Sequence, residues 1–194
     1  MSKAERGLMI GRYQPFHNGH LNLVQQAMSE CEEIIIAIAA SQFNYTPSNP
    51  FTAGERTHMI HEALVAEKID MNKVYIIPIM NLENNAIWLG HVKSNVPKFD
   101  TIYTGNKFVK ELAAQGGPIK IRIPVFLHKK TLNATNIRNR VVNDKSWKNL
   151  VPESIYQIIN DIMGVSRIKM LFETQKSNQV SESQYKTNYY PNIR

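Results

Sequence analysis

Two histidines near the N-terminus are the side chains of this sequence with the clearest capacity for chemistry. His17 and His20 lie in the stretch GRYQPFHNGH, residues 11–20, with Arg12 upstream and Gly19 between them. Imidazole N–H groups and a guanidinium donate hydrogen bonds to phosphate oxygens, and a glycine lets the backbone approach a ligand closely. The pattern therefore favours the binding of a phosphate-bearing anion.

A metal site and a surface turn are the other interpretations of this stretch. Two histidines need a third metal ligand and usually a carboxylate nearby, yet no acidic residue lies between Arg6 and Glu30. An Asn-Gly turn that carries two histidines by chance would fit residues 17–20 taken alone. The elements on either side of the stretch have to distinguish the turn from the anion site.

Apolar segments of strand length alternate with amphipathic segments along most of the chain. The predicted strands are 8–13, 33–39, 74–78, 101–104 and 119–125, and the predicted helices are 20–29, 52–67, 86–93, 108–115, 135–142, 152–163 and 167–172. Thr52 and Glu55 form a capping box at the start of the second helix. The alternation predicts an α/β fold, an open parallel sheet with helices on both faces and a small C-terminal helical extension.

The histidine stretch falls at the join between the first predicted strand and the first predicted helix. Ligands of open parallel sheets bind outside the carboxyl ends of the strands, and a helix N-terminus attracts phosphate through its free amides and its dipole. His17 precedes the helix and His20 lies in its first turn, so both can face the same anion. This context favours the anion site over the turn.

Composition narrows the class of protein. The chain has 194 residues, 43% of them hydrophobic, which suits one domain with a core and excludes a mainly disordered chain. Its longest apolar run, 34–40, is far shorter than the roughly 20 residues of a membrane helix. The N-terminus has no signal-peptide pattern. We therefore expect a cytoplasmic protein that does not bind membranes.

Charge and cysteine content add two exclusions. The net charge of +7 suits an anionic ligand but is too modest to require nucleic acid. The single cysteine, Cys31, excludes an internal disulfide and a cysteine-rich zinc site.

The stretch 11–20 also resembles the His-x-Gly-His signature of the nucleotidyltransferase superfamily, which has a Rossmann-like fold. Its Gly-Arg-x-Gln-Pro-Phe-His form resembles the archaeal type of nicotinamide-nucleotide adenylyltransferase. Later segments, 50–56, 83–91, 103–106 and 135–138, are similar to further blocks of that family. The resemblance implies a single nucleotidyltransferase domain over residues 1–173. The remainder, 174–194, is polar and aperiodic, and we predict that it is disordered.

The resemblance implies adenylyl transfer from ATP to nicotinamide mononucleotide, giving NAD and pyrophosphate by in-line attack without a covalent intermediate. The attacking phosphate is already an anion, so the reaction needs alignment and charge stabilisation more than a base. Mg²⁺ is implied, held mainly by ATP phosphates, and no metal-ligating residue is assigned. Relatives assemble into homo-oligomers, often hexamers, so a homo-oligomer is implied here.

Matching motif positions assigns roles on the ATP side. His17 contacts the α-phosphate region, His20 donates to the oxygens that gain charge, and Arg138 clamps the leaving β- and γ-phosphates. Thr135 is predicted as the N-cap of the Arg138 helix. The ATP-binding residues implied are Gly11, Arg12, Tyr13, Gln14, Phe16, His17, Gly19, His20, Gly105, Asn106, Thr135, Asn136, Ile137 and Arg138.

Three residues are assigned to nicotinamide mononucleotide. The indole of Trp88 attracts the cationic nicotinamide ring by stacking and cation–π interaction. Asn85 can pair with the ring carboxamide, and Ser41, which follows the second strand, lines the same pocket.

Two departures from the family pattern keep alternatives open. Asn133 stands where relatives have serine, and residues 45–49, with Ser48, lack a frequent arginine. The phosphate-binding cation is then either absent or supplied by Lys129, Lys130 or another subunit. One alternative is a transferase with another acceptor, such as pantetheine phosphate, FMN or a CTP-dependent alcohol phosphate. The other is a nucleotide-sensing or RNA-binding protein that has lost catalysis.

Overall fold

Five parallel strands form one open sheet in the computed structural model, which describes residues 4–117, 119–125 and 131–189, with side chains described as far as residue 177. The strand order is β3-β2-β1-β4-β5. The strands are β1 (Ala4–Gly11), β2 (Cys31–Ile38), β3 (Val74–Pro78), β4 (Thr101–Tyr103) and β5 (Lys120–Arg122). The predicted α/β, Rossmann-like fold is confirmed.

Helices cover both faces of the sheet, as the alternation predicted. They are α1 (Asn18–Glu30), α2 (Ala53–Ala66), α3 (Trp88–Asn95), α4 (Lys107–Gln115), α5 (Ala134–Val142), α6 (Glu153–Asp161) and α7 (Gly164–Tyr189). Because successive strand residues point to opposite faces, β2 contributes Ile34 and Ile36 to one core and Ile35 and Ala37 to the other. The first core contains residues of α1, α2, α5 and α6, and the second contains residues of α3 and α4.

The start of α5 corrects the prediction of Thr135 as an N-cap. Asn133 is the N-cap, and its side-chain oxygen accepts the backbone N–H of Asn136 at 2.8 Å. Asparagine is at least as good an N-cap as threonine, so the helix begins one residue after Asn133. Thr135 lies in the first turn instead. The capping box of Thr52 and Glu55 on α2 is confirmed.

Helix α7 is much longer than the predicted helix 167–172. Its backbone is helical to Tyr189, through most of the segment that we expected to be disordered. No glycine or proline follows Gly164 within the helix, so no residue in it strongly disfavours helical geometry. The division of the chain at residue 173 stays a prediction. None of the helices in the described ranges has the length and apolarity needed to cross a membrane.

Candidate active site

The sheet order creates a crevice at the carboxyl end of β1. This strand lies between β2 and β4. The connection from β1 leads to β2 on one side, and the connection from β3 crosses to β4 on the other, and ligands of open α/β sheets bind where the connections diverge in this way. The segment after β1 passes through Arg12 and Tyr13, and His17 is the N-cap of α1. The predicted join of strand, histidine stretch and helix is therefore present.

The two histidine rings are stacked, with centroids 3.6 Å apart and planes inclined by 23°. The backbone N–H of His17 donates to Nδ1 of His20 at 3.3 Å. This bond assigns the proton of a neutral His20 ring to Nε2, which is then a hydrogen-bond donor. The rings of Tyr13, edge-on at 4.8 Å, and Phe16, at 5.4 Å, pack against His20.

Both histidines are neutral near pH 7. Burial lowers the pKa of His17 to about 4. Burial, and secondly the neighbouring His17, hold the pKa of His20 well below its usual value. The rings therefore supply N–H donors, and the positive charge of the site has to come from arginines.

These lowered pKa values predict an acid-sensitive fold. Unfolded histidine titrates near pH 6.5, so between that pH and the His17 pKa of about 4 only the unfolded chain gains the proton. The stabilisation is complete above pH 6.5 and falls by up to about 1.4 kcal/mol per pH unit for each histidine below it. Urea denaturation at pH 7 and pH 5 should show a smaller loss for His17→Asn, which keeps a good N-cap. An equal loss in wild type and variant would contradict this assignment.

Arg138 brings a buried positive charge to the same place. It donates from Nη1 to the carbonyl oxygen of Gln14 at 2.8 Å and from Nη2 to Oγ1 of Thr135 at 3.4 Å, and its Nε has no partner in the described part of the chain. Burial and, secondly, the charge of Arg12 lower its pKa to about 10. Among the described residues no carboxylate forms an ion pair with Arg138 or Arg12. Since buried charges are normally paired, an anionic ligand would complete this site.

Arg56 on α2 is the residue of this region to which the sequence analysis gave no role. It is fully buried and donates to four carbonyl oxygens, those of Arg12 and Ala39 at 2.9 Å and those of Ala40 and Thr52 at 3.2 Å. Burial and, secondly, the charge of Arg12 lower its pKa to about 10. Arg56 thus joins the carboxyl ends of β1 and β2 to the start of α2. An arginine one turn after an N-cap, within an otherwise apolar helix face, was the available signal.

Three residues assigned to ATP have their side chains in the protein interior. The amide of Gln14 donates to the carbonyl of Phe51 at 2.8 Å and accepts its N–H at 2.9 Å. Tyr13 and Phe16 are buried in the core beside His20. These side chains support the histidines and Arg138, and a direct contact with ATP stays a prediction.

Gly19 is required by the position of the His17 ring. A Cβ at Gly19 would lie 3.1 Å from Cε1 and Nδ1 of that ring, so alanine has to displace it by a few tenths of an ångström. Gly11 has a similar constraint, because its Cβ would lie 3.0 Å from Cζ of Tyr13. The proximity of Gly19 to a ligand stays a prediction.

We expect Gly19→Ala to lower kcat about tenfold through this displacement. Its effect on stability should stay within about 1 kcal/mol, because alanine favours the helix by a similar amount. Gly90→Ala on α3 is the matched control, because a Cβ at Gly90 would have no heavy atom of the described residues within 4 Å. Steady-state kinetics and thermal unfolding check both variants. A wild-type kcat for Gly19→Ala would show that the ring position does not matter.

A cavity of about 240 Å³ opens beside Arg12. It brings Asn85 and Trp88, assigned to nicotinamide mononucleotide, together with Gly11, Arg12 and Asn106, assigned to ATP. The further lining residues are Ile10, Ala39, Ile79, Met80, Asn81, Leu82, His91, Phe108, Val109 and Leu112.

Arg12 connects this cavity with the histidine site. The cavity lining does not include His17, His20 or Arg138, but Arg12 belongs to the lining and its charge acts on Arg138. Ser41 is not part of the lining either. Its backbone N–H donates to the carbonyl of Ile79, a lining residue, at 3.1 Å.

The remaining assigned residues cap or pack their helices. Asn106, which follows Gly105, is the N-cap of α4 and accepts the N–H of Phe108 at 2.9 Å. Asn136 donates from its side chain to the carbonyl of Thr131 at 2.8 Å, and Ile137 is buried in the core.

The candidate cations Lys129 and Lys130 lie outside the described residues. Within the described residues no group of three or more His, Cys, Asp or Glu side chains could hold a metal ion.

Comparison with known proteins identifies the family of this chain. The family described as cytidylyltransferase-like matches residues 8–188. A nicotinamide-nucleotide adenylyltransferase from Caldivirga maquilingensis is 42% identical over 167 residues, covering 86% of this chain and 93% of that protein. One from Pyrobaculum arsenaticum is 45% identical over 165 residues, covering 84% and 92%.

A solved structure agrees at the level of the fold. It is a bifunctional NMN adenylyltransferase/ADP ribose pyrophosphatase from Francisella tularensis, complexed with AMP and a manganese ion. The TM-score is 0.75 at 22% identity, and the match covers 94% of this chain and 55% of that one. The family match and the sequence relatives place the chain in the cytidylyltransferase-like family and, within it, in the family of the nicotinamide-nucleotide adenylyltransferases.

Proposed function

We propose that this protein transfers the adenylyl group of ATP to nicotinamide mononucleotide, forming NAD and pyrophosphate. One observation carries the proposal. The buried Arg138, without a carboxylate partner in the described chain, donates to the backbone of the stretch that carries the two neutral histidines. Arg12 of the same stretch lines a cavity together with Trp88 and Asn85. The relatives named above support the same reaction.

The ATP side needs donors and cations more than a base. The 5′-phosphate oxygen of the mononucleotide forms a bond to the α-phosphorus while the bond from that phosphorus to the β-phosphate oxygen breaks. Nε2–H of His20 donates to an oxygen that gains charge, and Arg138 holds the leaving pyrophosphate. Because both histidines are neutral at pH 7, they lose no proton in this step.

The acceptor side uses the cavity. The partly buried indole of Trp88 offers a face for the cationic nicotinamide ring, and the exposed Asn85 offers an amide for its carboxamide. Arg12, which lines the same cavity, lies between the ring pocket and the triphosphate. The mononucleotide phosphate would thus be held near the α-phosphorus.

The metal and the assembly belong to the same proposal. Mg²⁺ bound to the triphosphate oxygens would neutralise part of their charge. We expect a homo-oligomer, with hexamers as the form that the family resemblance implies. Light scattering of the purified protein measures this assembly.

Pyrophosphate release tests the reaction class. The wild type is incubated with ATP, Mg²⁺ and one acceptor: nicotinamide mononucleotide, its deamidated acid form, pantetheine phosphate, FMN or none. We expect equimolar NAD and pyrophosphate with nicotinamide mononucleotide and no release without an acceptor. Release with pantetheine phosphate or FMN alone would identify another transferase. ATP binding without release under any condition would identify a nucleotide sensor.

A further inference from the structure

One wall of the acceptor cavity is a segment without regular secondary structure. Met80, Asn81 and Leu82 line the cavity, after β3 ends at Pro78 and before the short 3-10 helix Asn85–Ile87 begins. The sheet ladder does not extend to these residues. Side chains from elsewhere in the fold must therefore fix their backbone.

Gln42 provides two of the bonds that fix it. Its Nε2 donates to the carbonyl oxygen of Asn81 at 3.1 Å, and its Oε1 accepts the N–H of Asn81 at 3.0 Å. The primary amide thus pairs with both polar groups of one backbone residue, as a neighbouring strand would. Gln42 does not line the cavity itself, but it bonds to Asn81, which does.

Two more bonds hold the same wall. The side-chain oxygen of Asn81 accepts the N–H of Ala40 at 3.0 Å, and Nε2 of His91 donates to the carbonyl oxygen of Met80 at 2.9 Å. Ala40 has a φ of 55°, and its own carbonyl accepts from Arg56. The turn after β2, residues 40–42, therefore donates hydrogen bonds to the cavity wall and also accepts one from it.

A second glutamine makes the same pair of backbone hydrogen bonds on the ATP side of the site. The side chain of Gln14 forms the same pair of bonds with the backbone of Phe51. The backbone carbonyl oxygen of Gln14 accepts a hydrogen bond from Arg138.

Gln26 makes this pair of bonds with the backbone of Val125 as well, so the motif is a general support for loops in this fold. The link of Gln42 to the acceptor therefore comes from the position of Asn81 in the cavity lining.

We propose that Gln42 is a positioning residue for the acceptor nucleotide, which it serves by fixing the backbone of Asn81 and thereby the wall that faces Trp88. This inference rests on the proposed function. Gln42 is exposed and lies outside both cores, so its replacement should disturb binding of the acceptor without unfolding the protein.

Kinetics and binding of Gln42→Ala test the proposal. We expect the KM for nicotinamide mononucleotide to rise about tenfold, with kcat and the KM for ATP within about twofold of wild type. Calorimetric titration with the mononucleotide alone should show the same rise in Kd. The control is Gln157→Ala. The side chain of Gln157 is exposed on α6, and among the described residues its one hydrogen-bond partner is Glu153, at 3.5 Å. The kinetics and the melting temperature of Gln157→Ala should match wild type.

Gln42→Glu adds a readout that loss of packing would not give. The carboxylate keeps an acceptor for the N–H of Asn81 but opposes its carbonyl oxygen with a second oxygen. Protonation restores a donor, so the KM ratio of Gln42→Glu to wild type should fall toward one as the pH is lowered toward about 4.3, where an exposed glutamic acid is half protonated. The ratio for Gln42→Ala should not change.

The outcomes separate the two proposals. A Gln42→Ala enzyme with unchanged KM and Kd for the mononucleotide, or with both substrates weakened equally, overturns the role of Gln42 and leaves the reaction intact. A wild type that neither binds nor uses the mononucleotide overturns the proposed function, and the role of Gln42 with it.

Discussion

Replacing His20 with alanine should lower kcat for NAD formation about 10²–10³-fold, the usual effect of removing one preorganised donor to a developing negative charge. The KM for ATP should change much less, because Arg138 and Arg12 still attract the triphosphate. Nε2 of His20 is fixed as a donor by the bond from the backbone of His17 to Nδ1. Pre-steady-state and steady-state rates of pyrophosphate release measure the effect.

Two further variants control this prediction. His20→Gln carries an amide donor of similar reach and should recover part of the lost rate. His61→Ala removes a half-exposed imidazole of α2 that contacts Glu62, and its kcat should equal that of wild type. A His20→Ala enzyme that retains more than about a tenth of wild-type kcat would mean that the ring does not serve the transition state.

Replacing Arg56 with methionine should lower the free energy of unfolding by about 3 kcal/mol, since four carbonyl groups, one in a buried and three in partly buried hydrogen bonds, lose their donor. For a chain of this size the melting temperature should fall by roughly 6–12 °C. The surviving folded enzyme should also bind both substrates more weakly. Two of the carbonyls that Arg56 holds, those of Arg12 and Ala39, belong to residues that line the cavity.

Arg122→Met is the matched control for this prediction. Its guanidinium is half exposed and pairs with Glu30 at 3.5 Å, so the loss should stay below about 1 kcal/mol. Urea denaturation measures the free energy of unfolding of both variants. Equal losses in Arg56→Met and Arg122→Met would show that the bonds from Arg56 to the carbonyls do not stabilise the fold more than an exposed ion pair does.

The parts of the site that local pattern determines could be predicted from the sequence. A strand followed by a glycine-containing turn and a helix places His17 and His20 at one edge of a parallel sheet. This placement depends on the local sequence and not on long-range contacts. The assignment of Asn85 and Trp88 to one pocket rested on a family block, and the structure places both in the cavity beside Arg12.

The parts that depend on long-range contacts could not be predicted. The hydrogen-bond acceptors of Arg56 include backbone carbonyls 16, 17 and 44 residues away along the chain. Every residue has a backbone carbonyl, so the sequence does not indicate which ones Arg56 contacts. The contacts of Gln42 with Asn81 are equally remote, at a separation of 39 residues. The prediction of the N-cap of α5 was wrong for a local reason. Asn133 and Thr135 are both good N-cap residues and lie only two residues apart.

The most direct measurement is a crystal structure of the protein with a non-hydrolysable ATP analogue and Mg²⁺. We predict phosphate oxygens within hydrogen-bond distance of Nε2 of His20 and of the Arg138 guanidinium, with the α-phosphate facing the Trp88 cavity. A triphosphate bound elsewhere on the protein, with the stacked imidazoles of His17 and His20 contacting only protein atoms, would contradict the central claim.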